Sequence, residues 1–278
     1  MNAKVAVAVI HGIGSQADKQ PEVSAERTFS DRLYKKLARR LGRRRLAREV
    51  AWREVFWADV LEGRQERYLE EVRGELRYDR VRGFLVKSIS DAASVQRRGG
   101  DADAYAMVQA RIRATLADLN AETSDDTPLV ILAHSFGGHL MSSYVWDMQQ
   151  GRGPDLPTPF QRMETVARFV TFGCNIPLFT FAFPPEDAAP IAFPGPALAE
   201  GEVREPWWLN YYDPDDVLAF PLAPIGPAYA AMAARGELAD VRMNAGGLLT
   251  SWNPLSHDRY WTDRDFVRPV ADVLKALL

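Results

Sequence analysis

The sequence predicts an α/β fold in which a mainly parallel central sheet has helices on both faces. Short apolar runs rich in β-branched residues alternate along the chain with segments whose apolar residues recur at helical spacing. The predicted strands are apolar at nearly every position, which is typical of parallel strands buried on both faces. Because no internal repeat and no linker divides the 278 residues, we expect a single domain over 1–278.

The first half of the chain supplies three predicted strands. Residues 5–10 form a continuous apolar run, 50–60 are rich in Trp and Phe, and 129–133 follow Pro128 and lead directly into a helix that ends near Gly151. Three more helices are predicted from apolar residues at helical spacing: Phe29, Leu33, Leu37 and Leu41, stopping near Gly42; Tyr68, Leu69, Val72 and Leu76; and Tyr105, Val108, Ile112, Leu116 and Leu119.

The second half supplies two further strands and a closing helix. Residues 166–172 and 207–212 predict the strands. The helix is predicted from Phe266, Val270, Val273, Leu274 and Leu277. The segment 178–206 is rich in Pro and Phe and fits neither element, so we interpret it as an irregular flap between the two strands. Its aromatic residues either pack in the core, or line an acyl pocket or act as a lid.

Composition narrows the class of protein. A net charge of −3 argues against a dedicated nucleic-acid binder, and 47% hydrophobic residues exclude a disordered chain. The one cysteine, Cys174, allows neither an intrachain disulfide nor a cysteine zinc cluster, so we expect a reducing, cytoplasmic setting. The apolar run at 5–10 is too short for a signal peptide or a membrane span.

The residues around Ser135 carry the clearest chemical pattern. Ala133-His134-Ser135-Phe136-Gly137 places a serine, flanked two residues away by small side chains, between a buried strand and a helix. Such a sharp turn lifts the hydroxyl above the sheet and aims the helix N-terminus at the same point. We therefore predict that Ser135 is a nucleophile, in preference to an incidental serine in an ordinary strand–turn–helix.

Chain order then selects the base that would activate Ser135. A serine nucleophile needs a histidine oriented by a carboxylate. The residues around Ser135 resemble the nucleophile turn of the α/β-hydrolases, and that resemblance implies the chain order Ser, Asp or Glu, then His. His257 is the one histidine downstream of a plausible acid. Two acids remain open, because Asp213 directly follows the predicted strand 207–212 and Asp216 lies slightly farther on.

These motifs together resemble the α/β-hydrolase superfamily, of the serine esterase and lipase type, and in particular class-3-lipase-like bacterial hydrolases. His11-Gly12-Ile13-Gly14 resembles the His-Gly loop of that family, and Val170-Thr171-Phe172-Gly173 resembles the strand after the nucleophile helix. The two leading strands of the family are missing here, because the His-Gly strand comes first. The resemblance therefore implies a reduced sheet of five parallel strands with an edge strand near Val241.

The resemblance also assigns roles to site residues. Asp216, followed by Val217 and by Pro221, best resembles the Asp-x-Val-Pro pattern of the family and is preferred over Asp213. The backbone N–H groups of Phe136 and Ile13 would bind the oxyanion. We interpret His11 as a loop scaffold, and His134 and His139 as structural.

The predicted function is cleavage of carboxylic esters with an apolar acyl group, through an acyl-enzyme, on a small-molecule or lipid ester and with no metal or cofactor. Thioester or amide cleavage is a variant of the same chemistry. A different class, a non-catalytic interaction or membrane-surface-binding protein on the same scaffold, stays open.

The residues Gly12-x-Gly14-x-x-Ala17 also fit a dinucleotide-binding loop. The acid that such a loop requires at the end of the next strand does not come until Asp59, which argues against this interpretation.

The segment 32–48 is strongly basic. Residues 30–50 hold nine Lys or Arg against two acids. This segment could make a weak contact with a membrane surface, but we favour the simpler interpretation of a solvated helix face.

Overall fold

The central sheet has six strands, and every neighbouring pair is parallel. The computed structural model describes residues 2–12, 26–60, 104–203, 205–245 and 257–278. The strands are β1 (Val5–Ile10), β2 (Val50–Val55), β3 (Leu129–His134), β4 (Val166–Phe172), β5 (Trp208–Tyr212) and β6 (Leu238–Arg242), and they lie in the order β2-β1-β3-β4-β5-β6. The predicted α/β fold is confirmed, and β6 is the predicted edge strand near Val241.

Seven α-helices surround the sheet in the described ranges. They are α1 (Asp31–Leu41), α2 (Arg43–Glu49), α3 (Ala104–Glu122), α4 (Phe136–Gln149), α5 (Ile176–Thr180), α6 (Pro227–Ala234) and α7 (Arg264–Leu277). Short 3₁₀ helices cover Ala223–Ile225 and Arg259–Thr262. The predicted helix with Tyr68 and Leu76 lies outside the described residues. None of the described helices is both long and apolar enough to cross a membrane.

Both faces of the sheet are buried, as the continuous apolar strands predict. In β1, Ala6, Ala8 and Ile10 face a core layer shared with α3 and α4. Val5, Val7 and Val9 face the other layer, which includes apolar residues of α1 and α7. Successive residues of a strand point to opposite faces, so each strand contributes to both layers.

Two element boundaries differ clearly from the sequence prediction, β3 and β5 each differ by one residue at one end, and α2 and α6 were not predicted. The second strand ends at Val55 rather than at residue 60, because Phe56 and Trp57 are apolar for another reason: they leave the sheet and pack against the His11 ring. The flap is not irregular from residue 178, because α5 extends to Thr180. The remaining described residues of the flap, 181–203 and 205–206, contain neither helix nor strand.

The strand order determines where a site can form. β2 lies on one side of β1 and β3 on the other, so the chain reverses its direction of travel across the sheet between β1 and β3. In open parallel sheets, a crevice opens at the carboxyl ends of the strands at such a switch point. Here β1 leads into His11 and Gly12, and β3 leads into Ser135.

Candidate active site

Ser135 lies at the turn between β3 and α4 in a backbone conformation that L-residues rarely adopt. Its φ is 54° and its ψ is −127°. Two main-chain hydrogen bonds hold it there: its N–H donates to the Phe172 carbonyl at 2.9 Å, and its carbonyl accepts from the Gly138 N–H at 3.0 Å. Strained residues of this kind persist only where the surroundings hold them, and they cluster at functional sites.

The backbone of the loop after β1 packs directly against this turn. A Cβ atom on Gly12 would lie 2.4 Å from the Cβ of Ser135, and one on Gly137 would lie 2.6 Å from the carbonyl oxygen of His11. Because these contacts are so short, a side chain at position 12 or 137 would force the neighbouring atoms to shift. The small residues in both sequence motifs therefore allow the ends of β1 and β3 to approach each other.

His257 connects Ser135 to a carboxylate. Its Nε2 lies 2.7 Å from the Ser135 Oγ, and its Nδ1 lies 2.8 Å from the Asp216 Oδ2. Because an ionised carboxylate only accepts hydrogen bonds, Nδ1 carries the proton and Nε2 offers a lone pair to the serine hydroxyl. All three side chains are buried. The structure thus brings together the three residues that the sequence analysis named for this role.

Asp216 is held by three hydrogen-bond donors. Besides His257, the Tyr260 hydroxyl donates to Oδ2 at 3.1 Å, and the Leu218 N–H donates to Oδ1 at 3.0 Å. These bonds compensate the cost of burying a carboxylate, and they fix its orientation.

Asp213, the other candidate acid, is occupied by the loop itself. Its Oδ1 accepts from the Asp215 N–H at 2.9 Å, and its Oδ2 accepts from the Ala245 N–H at 2.7 Å. Asp213 therefore shapes the loop after β5, while Asp216 contacts His257.

Tyr260 joins the two aspartates, and the sequence analysis did not identify it. Its hydroxyl accepts from the Asp213 N–H at 2.9 Å and donates to Asp216. Burial, followed by the charge of Asp216, raises the pKa of Tyr260 well above its usual range, so the hydroxyl stays a neutral donor. The one signal in the sequence is an aromatic residue three positions after His257.

His134 contacts the main chain of His257. Its Nε2 lies 2.8 Å from the His257 carbonyl oxygen, and burial lowers its pKa well below the usual value. His139 behaves differently. It is half-buried, stacks on Phe179 at 4.2 Å and on Phe136 at 5.4 Å between ring centroids, and has its pKa lowered by burial to about 4.

Of the two predicted oxyanion donors, Phe136 is described and Ile13 lies outside the described residues. Phe136 is the first residue of α4, so its N–H has no acceptor within the helix. The helix dipole adds positive potential at the same end.

His11 supports the loop that precedes Ile13. Its Nδ1–H donates to the Gly12 carbonyl at 2.6 Å, and its ring stacks on Trp57 with 5.2 Å between centroids. The Trp57 Nε1–H in turn donates to the His11 carbonyl at 3.0 Å. These contacts are those of a loop scaffold.

The flap aromatics divide into two groups. Phe179 packs against α4 through His139 and Phe136, and Phe193 packs against Trp207. Phe181 and Phe183 are exposed, at 76% and 60% of their surface. The flap therefore contributes both to the core and to an apolar surface.

The basic segment 32–48 forms α1, α2 and the turn between them. Arg48 and Arg45 bind Glu49 and hold its pKa at about 2. Seven of its cationic side chains are exposed: Arg32, Lys35, Arg39, Arg40, Arg43, Arg44 and Arg48.

Within the described ranges, no group of three or more His, Cys, Asp or Glu side chains could hold a metal ion.

Cys174 is fully buried, and burial raises the pKa of its thiol to about 12, so it is not an activated nucleophile.

Comparisons with known proteins add no assignment. A scan against known protein families found no match, and no curated protein matches the chain.

Proposed function

We propose that the protein is a serine hydrolase that cleaves carboxylic esters through an acyl-enzyme. The observation that carries the proposal is the continuous hydrogen-bonded chain from Ser135 through His257 to Asp216, at 2.7 and 2.8 Å. It lies at the switch point of the sheet, where the strained turn presents the serine hydroxyl.

In the first step, the Ser135 Oγ attacks the ester carbonyl as its proton moves to the His257 Nε2. The imidazolium that forms is stabilised by the Asp216 carboxylate, which also keeps the ring in the tautomer that can accept the proton.

Negative charge then develops on the former carbonyl oxygen. The Phe136 N–H and the N-terminus of α4 are the described groups that support its stabilisation, and the resemblance to serine esterases adds the Ile13 N–H. A backbone donor of this kind is worth about 3 kcal/mol of transition-state stabilisation.

The tetrahedral intermediate collapses when the C–O bond to the alcohol breaks and His257 returns its proton to the leaving oxygen. Water then attacks the acyl-serine, again giving its proton to His257. The carboxylic acid leaves, and the Ser135 hydroxyl is restored.

An apolar acyl group is supported by the aromatic surroundings of α4. His139 stacks on both Phe136 and Phe179, these two phenylalanine rings contact each other at a tilt, and the low pKa of His139 leaves the group uncharged at neutral pH. Thioesters and amides would react by the same chemistry.

The sequence contains one cysteine, so we still expect a cytoplasmic location.

The alternative is a non-catalytic protein that binds a membrane surface through the segment 32–48. The exposed cations of α1 and α2 favour it. An unused site has no need to retain a strained serine in contact with a buried histidine, which favours the enzyme.

The test is hydrolysis of p-nitrophenyl esters from acetyl to dodecanoyl by the wild type, Ser135→Ala, His257→Ala and Ser142→Ala. Ser142 is the matched control, because it lies on α4 and donates to the His139 carbonyl. We expect loss of at least about 10⁴-fold in kcat for the first two variants and full activity for the control. Equal rates for wild type and Ser135→Ala across the series would overturn the proposal.

A further inference from the structure

His134 and His257 lie side by side although 123 residues separate them in the chain. Their ring centroids are 4.7 Å apart, and the His134 Nε2 lies 2.8 Å from the main-chain oxygen of His257. The proposed role of His257 uses both nitrogens of its ring. The hydrogen bond to its main-chain oxygen therefore holds His257 independently of the contacts of its ring.

The direction of this hydrogen bond follows from the chemistry of its atoms. A carbonyl oxygen only accepts, so the His134 Nε2 must carry the hydrogen. Burial, followed by the repulsion that two protonated histidines would exert on each other, lowers the pKa of His134 well below its usual value. His134 is therefore a neutral imidazole that donates from Nε2.

His134 is also the chain neighbour of Ser135 and the last residue of β3. We propose that His134 is a positioning residue, whose Nε2–H holds the main chain of His257 at the distance at which the base reaches Ser135. The inference rests on the proposed function. Both the nucleophile and the main chain of the base are then held at the end of β3. The 2.7 Å contact between Ser135 and His257 therefore does not depend on the His257 side chain alone.

Aromatic rings pack around the buried His134 side chain. Phe172 and Trp261 contact it with ring centroids 5.1 and 5.3 Å away. A Cβ atom on Gly173 would lie 3.2 Å from the Cε1 of His257 and 3.3 Å from the Nε2 of His134. Glycine at 173 therefore makes room for two adjacent imidazoles.

The neutrality of His134 also serves the reaction. His257 becomes an imidazolium in the proposed first step, and a second cation at this distance would oppose that charge. A neutral donor supports the base without this repulsion.

The test compares His134→Gln, His134→Asn and His134→Leu by their rates of inactivation with a fluorophosphonate. The Gln amide reaches the position of Nε2 and keeps an N–H donor, whereas the shorter Asn amide does not reach the carbonyl. For His134→Asn and His134→Leu we expect the maximal inactivation rate to fall about 10- to 100-fold, with an unchanged inhibitor constant. For His134→Gln we expect a maximal inactivation rate within about 5-fold of the wild-type rate.

Thermal unfolding of each variant separates positioning from loss of fold. If His134→Leu does not fold, the two amides still decide, because they share polarity and differ in reach. Equal losses of inactivation rate in folded His134→Gln and His134→Asn, or a wild-type rate in His134→Asn, would overturn the role of His134. Neither result would overturn the proposed function. A wild-type protein that the probe does not label at Ser135 would overturn the proposed function.

Discussion

Gly12 and Ser135 lie so close together that a Cβ atom on residue 12 would be 2.4 Å from the Cβ of the serine. The residues at the end of β1 therefore limit the space around the Ser135 hydroxyl. The close contact also links the two sequence motifs, His-Gly and Ala-x-Ser-x-Gly, into a single site.

Gly12→Ala is expected to displace the turn and to lower the rate of fluorophosphonate labelling about 100-fold, because the reacting atoms lose their alignment. Overpacking should also lower the free energy of unfolding by about 1–3 kcal/mol. Gly151→Ala is the control. Position 151 has positive φ but open space around it, so the variant loses stability and keeps the labelling rate. Equal labelling by Gly12→Ala and wild type would contradict this account of the loop.

Asp216→Asn and Asp213→Asn should behave differently. In Asp216→Asn the carboxylate that orients His257 is lost, and kcat should fall about 10³- to 10⁴-fold. In Asp213→Asn the acceptors of two backbone N–H groups are disturbed, which should lower the free energy of unfolding by about 1–3 kcal/mol with kcat reduced less than about 10-fold. Ester kinetics and denaturant unfolding measure the two effects, and the reverse ranking in kcat would show that Asp213 is the acid.

Tyr260→Phe is expected to weaken the site without abolishing it. Asp216 loses one of its three donors, and the Asp213 N–H loses its acceptor. We expect kcat to fall about 3- to 10-fold and the free energy of unfolding by about 1–3 kcal/mol. Tyr212→Phe, at the half-buried end of β5, is the control. A Tyr260→Phe variant identical to the control in both measurements would show that the hydroxyl is dispensable.

Alkaline pH should destabilise the fold through its buried tyrosines. Burial raises the pKa of Tyr144 and of Tyr211 from 10.0 to about 12. Between these values the unfolded chain has lost protons that the folded protein keeps, so the free energy of unfolding falls as pH rises through this window. Thermal unfolding from pH 8 to pH 11, compared between the wild type and a Tyr144→Phe, Tyr211→Phe double variant, should show the steeper loss of stability with pH in the wild type. The same pH dependence in both proteins would contradict burial of these hydroxyls.

Much of the fold could be predicted because the strands are apolar at almost every position. Residues 5–10 and 166–172 have the predicted bounds. Phe56 and Trp57 extended the second apolar run past Val55, since a residue that packs on a histidine ring looks in sequence like one that packs in a sheet.

The candidate site divides in the same way. Ser135 and His257 could be named from a local turn motif and from chain order. The choice between Asp213 and Asp216 depends on hydrogen bonds within one loop, which a sequence does not specify. The contact of His134 with His257 spans 123 residues and leaves no local pattern.

The central claim, that Ser135 is a nucleophile activated by His257, is tested most directly by fluorophosphonate labelling followed by peptide mass spectrometry. The account predicts one equivalent of label, located on Ser135, absent in Ser135→Ala, nearly absent in His257→Ala and retained in Ser142→Ala. Folded wild-type protein that takes up no label, or that carries the label on another residue, would contradict it.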